Sequence, residues 1–413
     1  MADRATERRV ALATFVLGAV VLVVAGAVLV PWDAVPGGRV TPVPVASVLN
    51  SEEVARAEAY SRWARLWSWS SLGVSVAVAC WFGLTSRGRR LVEWLPGPWW
   101  VQVPLTVAAL TLVGRLVTFP CAVALRRLRL DEGLTRQSWT AFAGDVVRTE
   151  SVAIVSTSLA VLVLVGCARR WSRAWPAVVG GLLAVLVVAG SFLYPLVVEP
   201  LFNDVEPLPD SQLRSEVLRL ADEEGVAVDD VLVADASRRT TTLNAYVSGF
   251  GSTRRVVLYD TLVDSASQDE TLSVVAHELA HARHDDVVTG TVLGAAGALA
   301  GVGLLATVLG AARRRGAPAA GEPASVPLVL ALVAVAMLLV SPVTNGVSRQ
   351  LEARADVDAV RATDDVPAFV AVQQRLAQRS LADPTPPAFG QLWFASHPGL
   401  LTRVAIAQRV GQP

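Results

Sequence analysis

The sequence predicts a mainly α protein, a bundle of seven transmembrane helices that carries a small α+β domain at one membrane face. Three observations lead there. The hydrophobic share is 53% against only 17% charged residues, seven apolar stretches have bilayer-spanning length, and only 199–286 and 348–413 form long segments that suit water. A chain this apolar is neither a disordered polymer nor an ordinary soluble domain. Basic and acidic residues balance at 36 each, and no large basic block offers a surface to nucleic acid. Every basic residue is Arg, which with the excess of Ala and Val reflects a GC-rich, bacterial genome and carries no functional signal.

A helix needs about 20 mostly apolar residues to cross a bilayer. The stretches that qualify are 10–30, 67–85, 101–120, 151–168, 175–198, 287–311 and 326–347. They divide the chain into an N-terminal region of five spans (1–198), a soluble segment (199–286), a two-span hairpin (287–347) and a second soluble segment (348–413). The first apolar run is longer than a signal-peptide core and ends in Pro31-Trp32-Asp33, an interfacial pattern rather than a cleavage site. The third span contains Arg115, which is expensive in hydrocarbon unless it faces protein or a wet cavity. Tryptophans gather at the span ends, at Trp63, Trp67 and Trp69, at Trp94, Trp99 and Trp100, and at Trp171 and Trp175, as an interfacial belt requires. In the sixth span Gly290, Gly294, Gly297 and Gly301 would let a neighbouring helix approach closely.

In the first soluble segment, 211–224 reads as an amphipathic helix that stops before Gly225. Short β-like runs follow at 230–235, 241–249 and 254–259, the last two joined by the turn residues Gly249-Phe250-Gly251-Ser252. Ser267 with Glu270 is a capping box, opening a helix that runs to about Asp285. Cys80, Cys121 and Cys167 lie in or beside apolar runs without Cys-x-x-Cys spacing, which supports neither a disulfide framework nor a thiolate metal site.

The four histidines carry more information, because three fall within eight residues. In His277-Glu278-Leu279-Ala280-His281 the two histidines stand one turn apart on the capped helix. Both imidazoles can therefore reach one zinc ion, with Glu278 placed to act as general base on a water at the metal. A catalytic zinc needs a third protein ligand and an open position. Glu352 is the best candidate, since two spans separate it from His281 and an even number returns the chain to the same membrane face. Asp356, one turn later, either orients a ligand imidazole or pairs with a nearby arginine. His397 follows without a further span and could donate to the oxyanion of a tetrahedral intermediate, with Arg403 as a second donor. His284 reads as a structural or solvated helix-end residue. The 241–249 run is either an ordinary packed strand or an edge that binds extended peptide, with Asn244 and Tyr246 on one face and Ala245 on the other.

These residues, in this order, resemble the integral-membrane zinc endopeptidases of the type I CAAX prenyl protease family, which share a catalytic domain with bacterial heat-shock membrane metalloproteases. The resemblance rests on Pro200-Leu201-Phe202-Asn203, Asn244-Ala245-Tyr246 before Gly249-Phe250, and the run Arg255 to Leu262. It continues through the zinc motif, Ser348-Arg349 with Glu352 and Ala355-Asp356, and His397-Pro398 with Arg403. It covers about 198–410 by motif and the earlier spans by hydropathy. It implies a zincin-like catalytic domain with one zinc ion on His277, His281 and Glu352, and Glu278 as base. It also implies His397 and Arg403 as substrate or oxyanion contacts, the Asn244 strand as peptide aligner, and an intramembrane chamber. Eukaryotic members cleave prenylated proteins; for a bacterial chain the chemistry carries over and the substrate is left as a membrane-associated or hydrophobic peptide.

Two alternatives stand beside this reading. One is a catalytically silent zinc-containing membrane chamber or binding protein, which metal-dependent peptide hydrolysis would separate from an enzyme. The other is a site-2-type intramembrane protease, against which Ala282-Arg283-His284-Asp285-Asp286 is too polar to sit within a span. The chain reads as a multi-pass protein of the bacterial plasma membrane, its oligomeric state open. Its facing is contested. The segments 1–10, 86–100, 169–174 and 312–325 carry 12 arginines in 45 residues, against 9 in 66 for 31–66 and 121–150. The positive-inside rule thus puts the zinc site outside the cytoplasm, while the family resemblance puts it inside.

Overall fold

A computed structural model describes residues 2–194 and 204–412 of the chain. Its membrane half consists of α1 (Ala2–Leu29), α2 (Ser51–Leu84), the short α3 (Ser86–Trp94), α4 (Trp99–Asp131), α5 (Trp139–Arg170) and α6 (Trp175–Leu193). The soluble half follows as β1 (Val205–Pro207), α7 (Gln212–Glu223), β2 (Asp230–Ala234), β3 (Ala245–Ser248), β4 (Arg255–Tyr259), α8 (Asp260–Ser265) and α9 (Gln268–Arg283). Two further long helices, α10 (Asp286–Arg313) and α11 (Val326–Thr363), precede α12 (Val366–Ser380), α13 (Ala388–Phe394) and α14 (Leu400–Val410). Among the described residues seven helices are long and apolar enough to cross a membrane, matching the seven expected spans. The end of the fifth expected span, 195–198, and the Pro200-Leu201-Phe202-Asn203 motif lie outside the described residues.

Several helices are longer than the apolar runs that betray them. α2 begins at Ser51 because Asn50 caps it: the Asn50 side chain accepts from the Glu52 and Glu53 amides at 3.0 Å each, and Glu53 accepts from the Asn50 amide at 2.9 Å. α11 continues past residue 347 to Thr363, about 57 Å at 1.5 Å per residue. Glu352 therefore rides on a helix rooted in the membrane.

α1 and α10 cross closely, but at different glycines from those that the spacing picks out. A Cβ on Gly18 would stand 2.3 Å from the Ala300 amide nitrogen, and one on Gly303 2.3 Å from that of Phe15, whereas Gly290, Gly297 and Gly301 have open space. Only Gly294 of the expected set abuts a neighbour, Val187 of α6. Trp94 and Trp100 are well exposed, as a belt requires, but Trp175 is buried and donates to Glu7 at 2.8 Å.

Arg115 faces the bundle interior, where its Nε donates to Glu150 Oε1 at 2.6 Å. The pair lines a cavity of about 550 Å³ between α2, α4, α5 and α11. Ser68, Ser71 and Ser75 recur along one face of α2, and Thr111 and Thr118 along one face of α4, so polar stripes at helical spacing make this cavity hospitable to water.

In the soluble half the sheet order is β1-β2-β4-β3, with β2 and β4 parallel and both flanking pairs antiparallel. The expected strands form within narrower bounds, and the turn at Gly249 (φ 94°) and Gly251 (φ 55°) closes the β3–β4 hairpin. Val231, Leu258, Val275, Leu279 and Phe369 join in one core between sheet and helices. The membrane half grips this domain through two loops. Val48 and Leu49 pack on Leu401 and Val404, and Thr135 donates to the Arg239 carbonyl at 2.6 Å.

Removing one partner of a half-buried ion pair leaves the other charged and unpaired beside the wet cavity, which costs stability though less than in a dry core. Arg115→Leu is thus expected to lower the unfolding midpoint of the detergent-solubilised protein, and Arg115→Leu with Glu150→Leu to recover most of the loss; equal destabilisation by both would contradict the pairing. The arginine-rich segments all lie on the face opposite the soluble domain. In a background lacking the native cysteines, the positive-inside rule predicts that Ser215→Cys reacts with an impermeant maleimide on intact cells and Ser172→Cys does not. The reverse pattern would favour the orientation implied by the family resemblance.

Candidate metal centre

α9 opens with the expected capping box: Ser267 Oγ accepts from the Glu270 amide at 3.2 Å, and Glu270 accepts from the Ser267 amide at 2.7 Å. Helical periodicity then sends Val275 and Leu279 into the core and turns His277, Glu278 and His281 towards α11. His277 Nε2 lies 3.2 Å from Glu352 Oε2 and 3.2 Å from His281 Nε2, which in turn lies 3.6 Å from Glu352 Oε1. Ligands about 2.0–2.1 Å from a tetrahedral ion stand about 3.3 Å apart. The donor set therefore fits a cation of zinc's size, with all ligand atoms within 4.8 Å of one another.

Each imidazole is oriented from behind. Asp356 Oδ1 lies 3.1 Å from His277 Nδ1, and Asp286 Oδ2 lies 2.8 Å from His281 Nδ1. The two alternatives for Asp356 coexist, because it also accepts from Arg403 Nε at 2.9 and 3.1 Å and from Arg403 Nη2. Asp286 escaped the sequence reading. Five residues past His281 it does not share that histidine's helix face, and only the break between α9 and α10, with Asp285 at φ 50°, swings it back. Arg354 of α11 pairs with Asp286 from the far side.

Charge explains how the site behaves. Among the described residues Glu278, Glu352, Asp356 and Asp286 are countered by Arg403 and Arg354, an excess of two negative charges that a divalent cation would cancel. In the metal-free protein burial lowers the His277 imidazole, but hydrogen bonds with Asp356 and Glu352 outweigh it and hold the group at about 9. A proton thus takes part of the cation's place and must leave when metal binds. Burial pushes the Glu278 carboxyl up, and among the described residues no hydrogen bond or ion pair ties that carboxylate to the protein.

His397 is brought to the same place, its Nε2 3.3 Å from Glu352 Oε1 and its Nδ1 2.9 Å from Ser396 Oγ. Arg403 commits Nε and Nη2 to Asp356, so of its nitrogens Nη1 is the one open to a further acceptor. His284 caps α9 and bonds Asp358 at 2.7 Å, a tie between α9 and α11. Of the strand residues, Ala245 joins the core beneath α9, while Tyr246 packs on the opposite face with Tyr259. Asn244, just before β3, is exposed and accepts from the Tyr259 amide at 3.0 Å. Among the described residues β3 is the terminal strand on its side of the sheet. The zinc motif lies on α9, outside the seven candidate spans.

With this geometry established, comparison with known proteins identifies the chain. Residues 37–204 match the model of the CAAX prenyl protease N-terminal domain, five membrane helices, and residues 207–410 match that of peptidase family M48. The chain belongs to peptidase family M48. It is a zinc metalloprotease of the integral-membrane branch of that family. It is 29% identical over 391 residues to an uncharacterized metalloprotease, YhfN, of Bacillus subtilis, covering 91% of this chain and 90% of that one. CAAX prenyl protease 1 of Saccharomyces cerevisiae is 38% identical over 107 residues, which span 26% of this chain and 24% of the relative. The crystal structure of S. mikatae Ste24p has the same fold, with TM-score 0.76 over 98% of this chain and 99% of that one at 19% identity.

An acceptor behind a ligand histidine typically contributes 10–100-fold to metal affinity. Asp286→Asn is therefore expected to weaken zinc binding about 10–100-fold in competition with a chromophoric chelator. Apparent affinity of the unmodified protein should rise with pH towards about 9 as His277 surrenders its proton. Unchanged affinity in the variant would remove Asp286 from the centre.

Proposed function

We propose that this M48 protein is an endopeptidase that hydrolyses membrane-associated or short hydrophobic peptides. In this reading 199–286 and 348–413 form the catalytic unit, and His277, His281 and Glu352 hold one zinc ion. The observation that carries it is Glu278, a half-buried carboxylate with no protein partner among the described residues, standing beside three convergent metal donors. When bound, zinc supplies a Lewis acid that polarises the scissile carbonyl and makes a water acidic enough to lose its proton near neutral pH.

The chain's own residues supply the remainder. Glu278 accepts the proton of the attacking water and passes it to the leaving nitrogen. Its raised pKa brings proton affinity closer to that of the groups it serves. Burial pushes the His397 imidazole down, favouring the neutral form. In the tautomer where the Ser396 hydroxyl donates to Nδ1, Nε2–H, 3.3 Å from Glu352 Oε1, is the donor for a developing oxyanion. Arg403 Nη1 is a second donor, held in place by Asp356. In this reading the β3 strand, with Asn244, Ala245 and Tyr246, aligns an extended peptide, which would account for tolerance of varied sequences. The prenylated substrates named for the eukaryotic relatives are not carried over, because those matches cover well under half of each chain, from 24% in the rice relative to 42% of this chain in the Schizosaccharomyces pombe one.

Loss of a general base costs about 10²–10⁴-fold in rate. Zinc content and cleavage of a fluorogenic hydrophobic peptide library, measured on one purified batch each of wild type and Glu278→Gln, should show zinc in both and hydrolysis in wild type alone. Zinc in both with hydrolysis in neither favours a binding role. Hydrolysis retained in the variant removes Glu278 as base.

A further inference from the structure

α13 is a seven-residue helix with no side-chain N-cap and no buried residue. Left alone, so short a helix does not persist in water. α11 holds it by its C-terminal carbonyls, the groups a helix end leaves without internal partners. The Trp393 carbonyl accepts from Ser341 Oγ at 2.6 Å and Asn345 Nδ2 at 2.7 Å. Arg349 Nη1 bridges two more, the Gln391 carbonyl at 3.1 Å and the Ala395 carbonyl at 2.6 Å. In return Trp393 Nε1 donates to the Leu338 carbonyl at 2.9 Å. On the outer side Phe389 stacks on Trp393 at 5.1 Å, and Trp69 of α2 packs against Phe389 and Phe394.

The clamp and the metal centre share one stripe. Leu338, Ser341, Asn345, Arg349, Glu352 and Asp356 recur at intervals of three and four residues, which is a single face of α11. The membrane-proximal part of that face grips α13, and its far end presents Glu352 and Asp356. From α13, Gln391 Nε2 donates to the His397 carbonyl at 3.1 Å, and His397 Nε2 stands 3.3 Å from Glu352. The contacts close a circuit from α11 through Arg349, α13 and His397 back to α11. His397 is half-exposed on an irregular segment, and α13 reaches its backbone through the Gln391 hydrogen bond.

We propose that Arg349 is a positioning residue for His397: by bridging the Gln391 and Ala395 carbonyls it fixes α13, and Gln391 transmits that position to the imidazole beside Glu352. The inference rests on the role given to His397 in the proposed hydrolysis. The guanidinium matters because one planar group reaches two carbonyls at once; a lysine ammonium can satisfy them with less fixed geometry, and a glutamine is too short.

Two measurements on the full-length, zinc-loaded protein test this, and only the second requires hydrolysis. In hydrogen–deuterium exchange, Arg349→Gln should raise amide exchange across 388–399 at least tenfold while 268–283 stays as in wild type with zinc retained. Arg349→Lys should fall between the two. In peptide cleavage, Arg349→Gln and Gln391→Leu should each lower kcat at least tenfold with KM within about twofold, and Arg349→Lys should recover most of the loss. Unchanged exchange in 388–399 overturns the proposal whether or not the protein cleaves peptide. Raised exchange with kcat within twofold of wild type overturns it as well, since α13 would then be held for stability alone. Exchange raised equally across 268–283 would mark general unfolding and also count against it. If wild type cleaves nothing while the exchange pattern is as expected, the hydrolytic reading fails and with it the catalytic meaning of the clamp.

Discussion

The rest of the structure depends on a buried concentration of charge where α9 meets α11. Two imidazoles, four carboxylates and two guanidinium groups share a site from which water is largely excluded, and each would be costly there alone. The contacts offset one another in chains: Arg403 to Asp356 to His277, and Arg354 to Asp286 to His281. Both chains end on the Nδ1 atoms of the candidate ligands, so the same contacts that neutralise buried charge also fix the tautomer and direction of each Nε2. What remains uncompensated is negative and sits among three convergent donors, a place suited to a divalent cation.

That geometry demands that two helices from distant parts of the sequence be held in register. α9 is set by its capping box and by Val275 and Leu279 in the core. α11 is set by the bilayer, because one unbroken helix begins in the membrane and ends past Asp356. The spans are therefore part of the site's scaffold as well as an anchor. The loops around Val48 and Thr135 extend this coupling, tying the first two-fifths of the chain to the soluble domain.

Much of this is legible in the sequence wherever a local rule decides the outcome. Seven spans follow from hydropathy, and α9 from Ser267 with Glu270. The pairing of His277 with His281 follows from helical spacing, and the nomination of Glu352 from the parity of the spans. The reading falters where tertiary contact overrides local pattern. Gly18 and Gly303, not the regular series at 290–301, bring α1 and α10 into close contact, because which face of α10 meets α1 is settled by the whole bundle. The extension of α2 to Ser51 depends on a cap that hydropathy does not register. Asp286 approaches His281 only through a left-handed residue at Asp285. The pairing of Arg115 with Glu150 requires knowing that α4 and α5 face each other at that depth.

Zinc K-edge X-ray absorption on the purified protein would show whether His277, His281 and Glu352 converge on one ion. One zinc per chain is expected, with nitrogen and oxygen scatterers at about 2.0–2.1 Å, an imidazole signature from two rings, and loss of the ion in Glu352→Ala. A sulfur scatterer at about 2.3 Å, or an unaltered zinc environment in that variant, would contradict that convergence.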